Sequence, residues 1–279
     1  MNRMIGFIGY GNMSKAMIGG LVDAQAFDLE YIIVSGRSDK HLTPARALGV
    51  ITTSGNKKVA AQSDVLIIAV KPHQYEGVIK EVEAYLQPHT VVVSIAAGLT
   101  LATLERYFTK PVKLVRTMPN TPAMVGCGMT AMVPNEQVTE KDLTLVKKVF
   151  GAFGKVELVS EDLIEGVIVT SGSAPAYVYM MIEAMIQGGT NEGMSKELAT
   201  TFVTQAVLGA TKMVMETGKD PGVLRDDVCS PNGTTIEAVN HLNDHHFNTL
   251  IQDAMAACAK RSREMSVAAN ERKRDACRS

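Results

Sequence analysis

Met4-Ile5-Gly6-Phe7-Ile8-Gly9-Tyr10-Gly11-Asn12-Met13-Ser14 decides how the rest of the chain is read. Its short apolar run reads as a buried strand, and Lys15-Ala16-Met17-Ile18-Gly19-Gly20-Leu21 after the glycines reads as a helix. Between them, Gly9-x-Gly11-x-x-Ser14 is a dinucleotide-binding fingerprint with its last position altered. Gly9 permits a tight turn, and Gly11 lets the backbone approach a pyrophosphate set over the helix N-terminus. The third position needs only a small residue for helix–strand packing, so Ser14 is compatible. An ordinary turn gives the same glycine spacing; the strand before and the helix after favour the dinucleotide.

Working outward, Tyr31-Ile32-Ile33-Val34 is a second strand, ending in Ser35-Gly36-Arg37-Ser38 with no acid before Asp39. A carboxylate here would hold a free ribose 2′-hydroxyl, whereas a 2′-phosphate calls for a cation and hydroxyls. Ser35, Arg37 and Ser38 therefore favour NADP(H) over NAD(H), the other reading being a solvated turn. A short helix is expected within Thr43 to Val50, with Pro44 near its start and Gly49 near its end. The run Val65 to Val70 is a strand buried on both faces, as parallel sheets require, and it ends at Lys71-Pro72. Lys71 reads equally as a substrate-facing base, a ribose contact or a snorkelling surface lysine.

Alternation continues with helix Gly77–Leu86, strand Thr90–Ala97 closing on Gly98, helix Leu101–Phe108 and strand Val112–Arg116. Met118-Pro119-Asn120-Thr121-Pro122 then makes a stiff loop suited to cofactor or substrate contact. Met129–Val133 and Lys155–Val159, separated by helix Lys141–Phe153, are the last strands. The fold class is α/β, an N-terminal Rossmann-like doubly wound parallel sheet over residues 1–160 followed by an all-helical C-terminal domain over 161–279.

The helical half contains Ala174–Gln187, with Tyr177, Tyr179, Met180, Met181 and Met185, and Leu198–Glu216. Both are apolar around much of their circumference, and half a chain of this length cannot bury them alone. A homo-oligomer built through this half is expected. Ser230-Pro231-Asn232-Gly233-Thr234-Thr235 opens a helix reaching about Leu242. Free N–H groups with hydroxyls beside them suit a carboxylate, or the threonines simply cap the helix. Helix Phe247–Val267 and a frayed charged tail from Asn270 to Ser279 close the chain.

A formal net charge of −1, with 20% charged residues and no sustained basic face, speaks against nucleic-acid or membrane-surface partners. The longest apolar runs are strand-sized, and the first runs straight into the glycine turn rather than reading as a signal peptide. Cys127, Cys229, Cys258 and Cys277 show no paired spacing, so free thiols in a cytoplasmic, reducing compartment and no metal are expected.

With these stretches in view, the sequence resembles the pyrroline-5-carboxylate reductases. The resemblance rests on Gly6 to Met13, Ala69-Val70-Lys71-Pro72, Ser94-Ile95-Ala96-Ala97-Gly98, Met118 to Pro122, Ser171-Gly172-Ser173-Ala174-Pro175-Ala176-Tyr177 and Ser230 to Thr235, in that order along essentially the whole chain. It implies reduction of the cyclic imine of 1-pyrroline-5-carboxylate to L-proline with NADPH, or NADH, the final step of proline biosynthesis. It also implies a homodimer formed through the C-terminal helices and assembled into a homodecamer. By the same resemblance, cofactor contacts fall on Gly9, Tyr10, Gly11, Asn12, Met13, Ser35, Arg37, Ser38 and Asn56, with Val70, Lys71, Ala96, Ala97 and Gly98 on the nicotinamide side. Substrate contacts fall on Glu161, Ser230, Gly233, Thr234 and Thr235, the Thr235 hydroxyl reaching the ring nitrogen as the catalytic group. Asn232 replaces one of the two glycines usual in that loop, Ala174 replaces a glycine, and Asp227 stands where some relatives have an amide.

Two rivals are a two-domain hydroxyacid dehydrogenase and a catalytically silent NADP-binding sensor. The first uses a lysine on an interdomain helix, and no lysine follows Ser171-Gly172-Ser173 before Lys196. The second differs only in lacking turnover.

Overall fold

The computed structural model describes residues 3–276. Among the described residues, strands β1 (Ile5–Ile8), β2 (Ile32–Ser35), β3 (Ile51–Thr53), β4 (Val65–Ile68), β5 (Val91–Ser94), β6 (Lys113–Met118), β7 (Gly128–Pro134) and β8 (Gly154–Leu158) form a sheet in the order β3-β2-β1-β4-β5-β6-β7-β8. Helices α1 (Asn12–Asp23), α2 (Asp39–Ala47), α3 (Asn56–Gln62), α4 (Tyr75–Val82), α5 (Leu101–Glu105) and α6 (Glu140–Gly151) connect them. There follow α7 (Ile164–Val167), α8 (Ala174–Asn191), α9 (Lys196–Thr217), α10 (Pro221–Asp227), α11 (Thr234–Asp244) and α12 (Phe247–Ala276).

Strands β1, β2, β4 and β5 are buried at every position, because helices cover both faces of the sheet. Ile5, Phe7, Ile67 and Val93 pack with Met17 and Leu21 of α1 and Phe150 of α6. Their neighbours in sequence face the other way: Ile8 and Leu66 meet Val59 of α3, while Val92 and Leu114 meet Tyr75 and Ile79 of α4 and Leu104 of α5. Strand order reverses between β1 and β4, which places a ligand crevice at the carboxyl ends of these strands.

Four details depart from the sequence expectation. Strand β7 runs antiparallel to β6, since the link from Met118 to Gly128 holds just the short turn Thr121–Val125, far less than the dozen or so residues a parallel crossover needs. Strand β3 is an addition at the sheet edge. Helix α2 starts at Asp39, capped by the Ser38 hydroxyl, so Pro44 lies inside it rather than at its start. Helix α12 continues to Ala276, past the expected end at Val267, and Cys277 to Ser279 of the charged tail lie outside the described residues.

Residues Ala174–Ala257 form one compact unit and the chain on either side of them the other. In the sheet unit, Ile164 and Ile168 pack on Ala131 and Val133, after which Ile168–Gly172 forms a π-helical turn. In the helical unit, α8 and α9 pack along each other, with Gly189 placed so that a Cβ would come within 3.2 Å of Ala199. Most of their apolar surface is open: Met180 is 70% exposed and Phe202 63%. By length and composition, α9 is long and apolar enough to cross a membrane.

Candidate active site

Gly9 has φ +102°, and a Cβ there would lie 2.6 Å from the Ala69 carbonyl oxygen, so no other residue fits. Its N–H donates to Ser35 O at 3.1 Å, joining the turn to the end of β2. Buried Ser14 donates its hydroxyl to Gly9 O at 2.8 Å, which explains a serine at the third fingerprint position. Gly11 is the N-cap of α1 with no side-chain cap, and a Cβ on it would meet nothing within 4 Å. Asn12 and Met13 open the helix beyond it. Uncapped N–H groups facing open space beside a side-chain-free residue fit the pyrophosphate of a dinucleotide.

Tyr10 is buried, and burial raises its phenol above the ordinary value. Its carbonyl lies 2.8 Å from Nε2 of His41, and its ring has Lys15 Nζ 5.6 Å from the centroid. At the end of β2, buried Ser35 donates to Asn56 Oδ1 at 2.7 Å, and Asn56 Nδ2 donates to Glu81 at 2.9 Å. Arg37 and Ser38 are exposed on the following loop, and among the described residues Arg37 makes no ion pair. A free guanidinium beside a hydroxyl fits a ribose 2′-phosphate.

Parallel pairing of Ile68 with Ser94 sets Val70 and Lys71, just beyond β4, beside Ala96, Ala97 and Gly98, just beyond β5. Tyr75 fixes these two strand ends together. It is fully buried, donates to Ile68 O and accepts from Ile95 N at 3.2 Å; burial drives its phenol well above the ordinary value. Lys71 is exposed and Gly98 is left-handed, with φ +79°. The next helix, α5, begins where Leu101 N donates to Glu161 Oε1 at 2.7 Å, and the same oxygen is 2.7 Å from Nη1 of buried Arg116. Asn120 is consumed structurally: its amide donates to Ser171 at 3.2 Å and its carbonyl accepts from Met129 N at 2.8 Å. Neither Tyr75 nor His41 stands out in the sequence; each acquires its role through a backbone carbonyl, Ile68 O and Tyr10 O, that the fold brings to it.

In the helical unit, Gly233 caps α11 without a side-chain acceptor, so Thr234 and Thr235 are the first helical residues and not caps. Gly233 N donates to Ser230 O at 3.0 Å, and a Cβ on Gly233 would come within 2.3 Å of Ser230 Oγ. Asn232 takes the left-handed conformation, φ +57°, that a glycine would otherwise supply. Asp227 is paired with Lys219 at 2.8 Å, which offsets its added charge. The dinucleotide residues and Ser230 to Thr235 thus belong to different compact units. Among the described residues no cluster of three or more His, Cys, Asp or Glu could hold a metal ion.

A Rossmann-type sheet with an open glycine turn, followed by a helical unit with a second uncapped helix start, defines a two-part NADP-linked oxidoreductase. Residues 4–98 match the family described as NADP oxidoreductase coenzyme F420-dependent, and residues 161–265 match pyrroline-5-carboxylate reductase dimerisation. The chain belongs to the pyrroline-5-carboxylate reductase family. It is 42% identical to the pyrroline-5-carboxylate reductase of Escherichia coli strain K12 over 267 residues, covering 95% of this chain and 99% of that one. The structure of a pyrroline-5-carboxylate reductase from Coxiella burnetii superposes with TM-score 0.87 at 37% identity, covering 95% of this chain and 99% of that one. Plasmodium falciparum pyrroline carboxylate reductase with NADP bound gives TM-score 0.87 at 30% identity, covering 95% and 98%. The dimerisation match spans α8 and α9, the helices that carry the exposed apolar surface.

Proposed function

We propose that this chain reduces 1-pyrroline-5-carboxylate to L-proline with NADPH as the preferred reductant and NADH as a possible one, the last step of proline biosynthesis. The observation that carries the reading is the 42% identity over 95% of the chain to a reductase of that name. Bound NADPH supplies the hydride for the imine carbon.

Gly9, Tyr10, Gly11, Asn12 and Met13 receive the pyrophosphate, and Ser35, Arg37, Ser38 and Asn56 the adenosine end. Val70, Lys71, Ala96, Ala97 and Gly98 line the nicotinamide side. The backbone at Gly233 and Thr234, with Ser230 beside it, holds the substrate carboxylate; the Gly233 N–H is taken by Ser230 O, so the uncapped Thr234 N–H is the donor left for it. The Thr235 hydroxyl orients the ring nitrogen and stabilises the developing amine. An imine that enters protonated needs no strong protein acid, so the work of these residues is positioning. Glu161 stands near the imino acid, and its tie to Arg116 supports a fixed orientation for it.

We assign the nucleotide role to residues 1–160 and the assembly and substrate roles to 161–279, a division supported by the start of the dimerisation match at 161. Homodimers formed through the second part, assembled into a homodecamer, and a cytoplasmic location complete the proposal. Sedimentation at micromolar concentration tests the assembly; a stable folded monomer would overturn it. Mixing protein, pyrroline-5-carboxylate and NADPH or NADH tests the activity through the absorbance of the reduced cofactor. No loss of signal with either cofactor would leave the silent sensor standing.

A further inference from the structure

The loop that carries Arg37 and Ser38 is pinned at its two ends to two adjacent residues of the glycine turn, Gly9 and Tyr10. At its start, Ser35 O accepts from Gly9 N at 3.1 Å. At its far end, His41 Nε2 lies 2.8 Å from Tyr10 O, and the imidazole stands edge-on to the Tyr10 ring, with centroids 6.0 Å apart and planes at 80°. A carbonyl can only accept, so Nε2 carries a proton, and the neutral ring is the Nε2–H tautomer. The His41 backbone N–H in turn meets Ser38 Oγ at 3.4 Å, so Ser38, His41 and Tyr10 form a continuous tie.

We propose that His41 is a positioning residue that latches this loop to the glycine turn and thereby sets the preference for NADPH over NADH. The inference rests on the assignment of Arg37 and Ser38 to the 2′-phosphate. Releasing His41 frees only one end of the loop. The pyrophosphate end of the site stays in place, because Gly9 is held independently by Ser14 and by Ser35. NADH lacks the phosphate that a displaced Arg37 would fail to meet, so loosening the loop weakens NADPH binding selectively.

Titration calorimetry of the full-length protein with NADPH and with NADH tests the latch in four forms: wild type, His41→Ala, His41→Gln and Arg37→Ala. For His41→Ala the Kd for NADPH should rise roughly three- to tenfold, as for loss of one ordinary hydrogen bond, and that for NADH less than about twofold. His41→Gln keeps an N–H donor able to reach Tyr10 O and should restore the NADPH value, a rescue that loss of packing alone would not give. An equal rise for both cofactors, no change for either, or no rescue by glutamine would overturn the latch. If Arg37→Ala shifts the ratio and His41→Ala does not, the latch fails while the phosphate assignment stands. If Arg37→Ala leaves the ratio unchanged, the assignment fails and the latch with it.

Discussion

Arg116 and Glu161 form an ion pair, Nη1 to Oε1 at 2.7 Å, in which the arginine side chain is 5% exposed and the carboxylate 33%. The same oxygen receives Leu101 N, so one carboxylate joins β6 to the start of α5 just beyond Gly98. The pair is asymmetric. Removing the carboxylate strands a buried guanidinium, whereas removing the arginine leaves a carboxylate that is partly in water and still holds Leu101 N. Glu161→Gln should therefore cost about 2 kcal/mol, below the full cost of breaking a deeply buried pair, and Arg116→Met less than about 1 kcal/mol. Chemical denaturation of both variants checks this; an equal loss, or a larger loss for Arg116→Met, contradicts it.

The two turn glycines are required for different reasons. Gly9 has φ +102° and its missing Cβ would collide with Ala69 O at 2.6 Å, while Gly11 has an ordinary φ of −86° and open space around its missing Cβ. Gly9→Ala should destabilise the fold by at least about 2 kcal/mol through strain and overlap. Gly11→Ala should melt within a few degrees of wild type but bind NADPH roughly tenfold or more weakly, because its methyl fills the approach to the pyrophosphate. Paired thermal melts and cofactor titrations separate the two. If Gly11→Ala binds normally, the pyrophosphate does not approach there.

This contrast also marks what the sequence could disclose. The strands were legible because runs such as Val65-Leu66-Ile67-Ile68 carry no polar alternation, and the glycine turn because its neighbours are a strand and a helix. Strand β3, Ile51-Thr52-Thr53, is short and half polar, so it reads as loop until it pairs with Ile33–Ser35. The reversal at β7 has no signal in the strand's own residues, which look the same in either direction; its cue is the short link from Met118 to Gly128. Pro44 suggests a start for α2 at Thr43, four residues past its true start at Asp39, although Ser38 is the better cap. The residues that shape the site through distant partners were the least legible. His41 meets Tyr10, Asn120 meets Ser171, and Arg116 meets Glu161; each bond exists only once the sheet is assembled.

Asp142 gives the fold a predictable acid response. Burial by itself raises this carboxyl, but the Thr139 hydroxyl and N–H, at 2.6 and 3.0 Å, and Lys113, at 2.9 Å, outweigh it and hold the group below its ordinary value. A depressed folded-state value means stabilisation that is complete above the unfolded-state value and lost as pH falls through the folded-state one. Asp142→Asn should therefore melt below wild type at neutral pH, and the gap should close below about pH 4. Melting curves across the acid range test this; a gap that widens toward acid would contradict the sign.

The loop before α11 separates conformational from chemical roles. Asn232 holds φ +57°, a conformation that costs most residues roughly 1–2 kcal/mol. Asn232→Gly should leave catalysis and stability close to wild type, and Asn232→Ala should lose stability by about 1 kcal/mol with little change in turnover of the folded protein. Thr235 lies three residues on, in the first turn of a helix whose cap, Gly233, provides no side chain, so its hydroxyl is not consumed as a cap. Thr235→Ala should fold normally and bind NADPH as wild type does, yet turn over roughly ten- to a thousandfold more slowly, the span of a positioned proton-handling group. Thr235→Ser should recover most of the rate, because it restores the hydroxyl. Unchanged turnover in Thr235→Ala, or a serine variant as slow as the alanine one, would remove Thr235 from the chemistry and leave the uncapped backbone at the start of α11 as the substrate's principal hold.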